Sequence, residues 1–155
     1  MIISSDWQLA LRDITRLAVA YVLALPVGWY RERQAHTIGL RTFPLVATAS
    51  CAYVLLSMPG SQPDPAAQSR IIQGLVAGIG FIGGGAILKA EGGVVGTATA
   101  ASIWNTGALG AAVAQERYVL AFVLSVLNLV SLRVLLPLKL YLDGKQGRDP
   151  EAGPK

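Results

Sequence analysis

The chain has 155 residues, 53% of them hydrophobic and only 14% charged. A soluble domain carries roughly 25% charged residues to cover its core, so the composition argues against a soluble enzyme and for a chain solvated by lipid. The net charge of +4 and pI ≈ 9.5 come from basic residues at the ends of apolar runs, where they set membrane topology; they do not form a nucleic-acid surface.

Crossing about 30 Å of hydrocarbon takes about 20 apolar residues in a helix. The first such run is Leu9 to Tyr30. Ser4 or Ser5 caps it, Trp7 and Trp29 mark opposite interfaces, and Pro26 predicts a kink near its far end. Arg12, Asp13 and Arg16 fall in its first turns, at the interface. No basic residue precedes Arg12 and more apolar runs follow, so the start does not read as a cleaved signal peptide. The second run is Thr42 to Met58, followed by a Pro/Gly/Ser/Asp loop from Pro59 to Ser69 in which Pro63 and Pro65 interrupt regular structure. The third, Ile71 to Leu88, is apolar yet dense in glycine. The fourth, Thr97 to Ala114, is built of Ala, Thr and Gly and is the weakest by hydropathy, which suits a helix buried among the others. The fifth, Tyr118 to Leu142, is rich in Leu and Val and carries Arg133, within snorkelling reach of the interface.

Residues 1–142 therefore read as one all-α membrane domain, a bundle of about five transmembrane helices, and Asp143 to Lys155 as a disordered cytoplasmic tail. With the N-terminus outside, Arg31, Arg33, Arg41, Lys89, Lys139, Lys145, Arg148 and Lys155 face inward, against Arg12, Arg16, Arg70 and Arg117 outside. Positive charge favours the inner face, so the orientation is N-out, C-in. Losing or merging the fourth span moves the C-terminus across the membrane.

Gly78-Ile79-Gly80-Phe81-Ile82-Gly83 is a literal G-x-G-x-x-G. A dinucleotide site needs a strand before it, a helix after it and an acid about 20 residues on; an apolar span supplies none of these. Read as a helix, Gly74/Gly78 and Gly80/Gly84 are each four apart, which places small residues on one face for close helix contact. That face serves packing within the bundle, a homodimer seam or a broken helix lining a cavity. In the fourth span Thr97, Thr99, Ser102, Asn105 and Thr106 surround Trp104. Their polar groups bond back into the bundle or form a polar path. Asn105, Gln73 and, more weakly, Asn128 each need a partner in hydrocarbon.

Between the first two spans lie Gly28-Trp29-Tyr30-Arg31-Glu32-Arg33 and Gly39-Leu40-Arg41-Thr42. These charges act as topology determinants or as an ordered cluster, with Glu32 paired to Arg31, Arg33 or Arg41. His36 is the only histidine and has no constellation of ligands around it, and Cys51 is a lone thiol in an apolar run. No catalytic set, metal site or cofactor motif is recognisable, and no paired intramembrane carboxylates offer a Mg²⁺ path.

Gly28-x-x-Arg31, Gly39-Leu40-Arg41-Thr42, Arg70…Gln73-Gly74…Gly78-Ile79-Gly80-Phe81-Ile82-Gly83-x-Gly85 and Gly96-x-x-Thr99-Ala100-Ala101-Ser102-Ile103-Trp104 occur in this order. Together they resemble the MgtC/SapB family of bacterial inner-membrane proteins over roughly residues 10 to 135. Tyr30 stands where the family has an acid, Val95 stands where it commonly has a basic residue, and the soluble C-terminal domain of longer members does not follow here. The resemblance implies a multi-pass, non-enzymatic protein without cofactor that modulates other membrane proteins. It also implies a link to Mg²⁺ limitation and, in pathogens, to survival inside host cells.

The candidate functional residues are Arg31, Glu32, Gly39, Arg41, Thr42, Gln73, Gly78, Gly80, Gly84, Thr99, Trp104 and Asn105. Expected partners are membrane lipid and, through the small-residue faces, a second copy or another membrane protein, but not nucleic acid. A small ion or solute transporter and a structural subunit of a membrane complex are the alternatives.

Overall fold

The computed structural model describes residues 2–35, 39–58, 65–90 and 93–146. The described residues form five helices: α1 (Ile2–Ala35), α2 (Thr42–Leu56), α3 (Pro65–Gly85), α4 (Thr97–Ala114) and α5 (Tyr118–Gln146). A two-stranded antiparallel hairpin, β1 (Leu88–Ala90) and β2 (Gly93–Val95), joins α3 to α4, with Lys89 opposite Val94. The helical architecture agrees with the apolar pattern, and the hairpin corrects its purely helical reading. Its sequence signal was the Glu91-Gly92-Gly93 stretch between Leu88-Lys89-Ala90 and Val94-Val95, a turn-rich break flanked by strand formers.

α4 has the expected bounds; the other helices differ at their ends. α1 is continuous from Ile2 through Pro26 to Ala35, longer than the expected Leu9 to Tyr30. α3 takes over the end of the expected loop because proline is well tolerated at a helix's first position, where the missing N–H has no partner to lose. α5 runs on to Gln146, into the expected tail. His36, residues 59–64 of the loop and residues 147–155 of the tail lie outside the described residues.

α4 is the centre of the bundle and packs against each of the other four helices. Its small residues permit this. A Cβ on Gly110 would collide with the Ala47 carbonyl of α2, and one on Gly107 with the Ile79 side chain of α3. The weakest span by hydropathy is thus the most enclosed helix, with Ile103, Thr106, Leu109 and Val113 buried. At the start of α4, Gly96 has φ 89, and a side chain there would strike the Ala86 carbonyl. Only glycine takes both the left-handed backbone and the contact readily.

Cross-helix polar bonds set the direction of α1 and α5. Arg16 meets Glu116 just before α5, the Ser125 hydroxyl donates to the Leu23 carbonyl at 2.7 Å, and the Tyr30 hydroxyl donates to the Leu132 carbonyl at 3.3 Å. Partners advance together along both helices, so α1 and α5 run parallel. α1 and α2 instead form an antiparallel pair, with Gly28 pressed against the Gly39 carbonyl and Leu40. One end of the bundle therefore holds the α1–α2 turn and the hairpin; the other holds the α4–α5 turn. By length and apolarity, one segment among the described residues suits a bilayer crossing unaided: Tyr118–Leu135, 18 residues with mean hydropathy 2.1. α2 is apolar over a shorter length.

The two kinds of glycine predict opposite outcomes. Gly110→Ala destabilises the detergent-dispersed monomer by about 1–3 kcal/mol through overpacking. Gly78→Ala, inside α3 where a Cβ meets nothing within 4 Å, gains about 0.5–1 kcal/mol of helix stability. Thermal unfolding of the two variants beside the parent chain measures the difference, and equal shifts would contradict it.

Candidate functional site

At the α1–α2 end the charged residues sort themselves differently from the expected cluster. Arg31 Nη2 donates to the Thr99 hydroxyl on α4. Glu32 Oε2 accepts the Leu40 backbone N–H at 3.0 Å and pairs with none of Arg31, Arg33 and Arg41. That N–H lies just before α2, outside a helical ladder, and a carboxylate satisfies it with a charge-assisted bond. Gly39 makes the approach possible, since a Cβ there would stand 2.5 Å from the Glu32 nitrogen. The Arg33 guanidinium lies over the Trp29 ring, 5.1 Å from its centroid. Arg41 is exposed and Thr42, the first residue of α2, is half-buried.

Thr99 begins a polar ladder between α4 and α5. The Ser102 hydroxyl donates to Asn128 Oδ1, while Asn128 Nδ2 donates to the Ser102 carbonyl at 3.1 Å and to the Thr106 hydroxyl at 3.3 Å. Asn105 Nδ2 donates to the Leu124 carbonyl at 3.0 Å. The amides thus find the partners that hydrocarbon demands, and Asn128, the weaker of the sequence candidates, is the more deeply buried hub. A cleft of about 380 Å³ opens beside this ladder between α1, α4 and α5, lined by Arg31, Ala101, Asn105, Leu127 and Leu132 among others. Trp104 points away from it and is largely exposed, and Gln73 is exposed on α3.

α3 is the least enclosed helix of the bundle; only Ile79 and Gly83 are buried. A Cβ on Gly83 would stand 3.3 Å from the Ala100 carbonyl oxygen, but one on Gly74, Gly78, Gly80 or Gly84 would meet nothing within 4 Å. Of the uses open to this face, packing within the bundle is therefore not the one observed. At 3.6 residues per turn, Phe81 stands between the Gly74/Gly78 row and the Gly80/Gly84 row, and it is 86% exposed. A second cleft, about 440 Å³, runs between α2 and α3 past Ala49, Tyr53, Gly74, Gly78 and Ile82.

The opposite end carries a feature the sequence pattern does not reveal. Glu116, in the α4–α5 turn, accepts from Arg12 Nη2 at 2.8 Å and from Arg16 Nη2, and Asp13 lies 3.6 Å from Arg16. The turn forces Glu116 to φ 58, a region that L side chains rarely adopt. The Arg16 hydrogen bond, then that of Arg12, holds its carboxyl below the usual carboxylate range. Partners about a hundred residues apart leave no local signature.

The profile of the MgtC family matches residues 17–141. An uncharacterised Synechocystis protein, slr0014, is 35% identical over 138 residues, covering 89% of this chain and 57% of that protein. YhiD of Escherichia coli K12, named as a candidate magnesium transporter, is 34% identical over 141 residues, 85% of this chain and 64% of its own length. The MgtC protein of Salmonella typhimurium is 37% identical over 97 residues, 63% of this chain and 41% of that protein. The matched region thus spans less than two thirds of these curated relatives. No solved structure matches the chain.

Glu116 lies inside the family match, whereas Arg12 and Arg16 precede it. Because the folded carboxyl titrates lower than the unfolded one, its stabilisation is present above the unfolded pKa and is lost as pH falls through the folded pKa. The parent chain is accordingly more heat-stable than Glu116→Gln at neutral pH, and the gap closes on acidification below the ordinary carboxylate range. Melting curves across pH check this; a gap unchanged at low pH would assign the loss to something other than the ion pairs.

Proposed function

This chain belongs to the MgtC family, and we propose that it is a multi-pass, non-enzymatic protein of the bacterial inner membrane that modulates other membrane proteins through helix–helix contacts. The observation that carries this reading is the open face of α3. At four glycines, Gly74, Gly78, Gly80 and Gly84, an added Cβ would meet nothing within 4 Å, which leaves room for a neighbouring backbone. In lipid, helix association relies on close backbone approach because hydrophobicity does not separate helix from solvent. The occupant is a transmembrane helix of a second copy or of another membrane protein, seated along Phe81 and the glycine rows.

Several features support the membrane setting. Val22 of α1, Leu45 of α2 and Val119 and Phe122 of α5 are exposed, part of a large apolar surface that a monomer in water rarely carries. Helix ends alternate between two sides of the bundle, as successive crossings require. With N-out, C-in orientation, Arg31, Glu32 and Arg41 stand on the cytoplasmic side, and the Arg12/Arg16/Glu116 clamp outside. A link to Mg²⁺ limitation or to survival inside host cells accords with the family and with the name of the Escherichia coli relative.

Gly78→Leu and Gly80→Leu are expected to abolish self-association or partner capture while leaving membrane insertion intact. Cross-linking in membranes, with the membrane fraction assayed in parallel, reads both. If association survives both substitutions, the seam lies elsewhere. Mg²⁺ flux in proteoliposomes containing this chain alone, lost on Asn105→Leu, would instead select a carrier.

A further inference from the structure

The cleft beside Arg31 has a chemistry that the helix-contact reading does not use. Arg31 projects from the end of α1 toward α4, where one nitrogen is bonded to Thr99. Its Nε is buried and has no hydrogen-bond partner. No carboxylate pairs with it: among the described residues the ion pairs are confined to Arg12, Arg16, Asp13 and Glu116, at the other end of the bundle. Glu32, the adjacent acid, is turned to the Leu40 N–H. A guanidinium keeps its charge at any physiological pH, and a buried donor left unmet is destabilising. The cleft therefore holds a cation with no anion to match it.

The rest of the cleft describes what the anion is attached to. Beside Arg31 the cleft is lined by Gln34, by the ladder's Ser102, Asn105 and Asn128, and by a larger apolar wall to which Ala101, Leu127 and Leu132 contribute; its volume is about 380 Å³. Leu127 and Leu135 are also exposed on the outer surface of α5, so the apolar wall continues out of the cleft along the helix. A charged head beside an apolar track suits an amphiphile better than a free ion. Basic pockets between helices on the cytoplasmic side of a membrane are general binding sites for lipid headgroups.

We propose that this cleft binds the phosphate of an anionic phospholipid, with Arg31 holding the headgroup and an acyl chain lying along Leu132 and Leu127 toward the middle of α5. The assignment rests on the membrane reading above but not on the glycine seam of α3. Bound lipid would bridge α1, α4 and α5 at the end where Arg31 and Thr99 already meet.

The test uses the full chain purified in a neutral detergent, titrated with phosphatidylglycerol, with phosphatidylcholine, or with sodium phosphate at matched ionic strength. Phosphatidylglycerol is expected to raise Tm by several degrees, and the other two to have little effect. Arg31→Gln removes most of the rise and Arg31→Lys retains part of it. Ala101→Leu fills the cleft without touching a charge and also removes the rise, so the assignment does not depend on one variant folding. An equal rise in Arg31→Gln and Ala101→Leu overturns the site. An equal rise with phosphatidylcholine overturns the role of charge, and one with phosphate alone overturns the lipid. Failure of the membrane reading has a separate signature, a chain absent from the membrane fraction, and failure of the α3 seam leaves the lipid response unchanged.

Discussion

Close approach to α4 is the constraint from which the other contacts follow. Where Gly107 and Gly110 face α3 and α2, a neighbour comes nearer than any Cβ allows, and the small residues around them let α4 touch all four other helices. Once α4 is central, its hydroxyls and amides have neighbours on every side. Ser102 and Thr106 reach Asn128, Asn105 reaches the α5 backbone, and Thr99 receives Arg31. A bulkier fourth helix would push α5 outward, and these short side chains would no longer span the gap.

The polar contacts are distributed along the bundle according to what they must achieve. In the middle they are neutral: hydroxyl and amide groups that satisfy one another without charge. Charges collect at the two ends. At one end Glu116 draws Arg12 and Arg16 onto the α4–α5 turn; at the other Glu32 closes the α1–α2 turn through a backbone N–H. This arrangement suits an apolar solvent, because an ion in the middle would carry a desolvation cost that a neutral hydrogen bond largely avoids. Arg31 sits at the boundary of the two regimes, a cation reaching from the charged end into the neutral ladder.

How much of this was legible in the residues depended on the range of the interaction. The run of Ala, Thr and Gly from Thr97 to Ala114 marks the bounds of α4 directly, because helix limits are local properties. The interfacial residues Arg12, Asp13 and Arg16 looked like ordinary boundary charges, since the partner that orders them is Glu116, 104 and 100 residues away. Of the two readings open for the charges around Glu32, neither includes its actual partner: the close return at Gly39 offers the carboxylate a backbone donor, with no long side chain to immobilise. The glycines of α3 could be read as a small face, yet their spacing carries no information about whether that face is filled.

That last distinction separates two uses of one residue. Each glycine in a helix interior costs roughly 0.5–1 kcal/mol relative to alanine. At Gly107 and Gly110 the cost is returned within the chain, because α3 and α2 occupy the space that a side chain would take. At Gly74, Gly78 and Gly80 the same cost is incurred three times inside one helix where an added Cβ would meet nothing within 4 Å. Alanine at these positions would make a better α3 at no steric expense to the isolated chain. On the proposed reading the compensation comes from a helix outside the chain, for which the exposed Phe81 between the two rows is a contact.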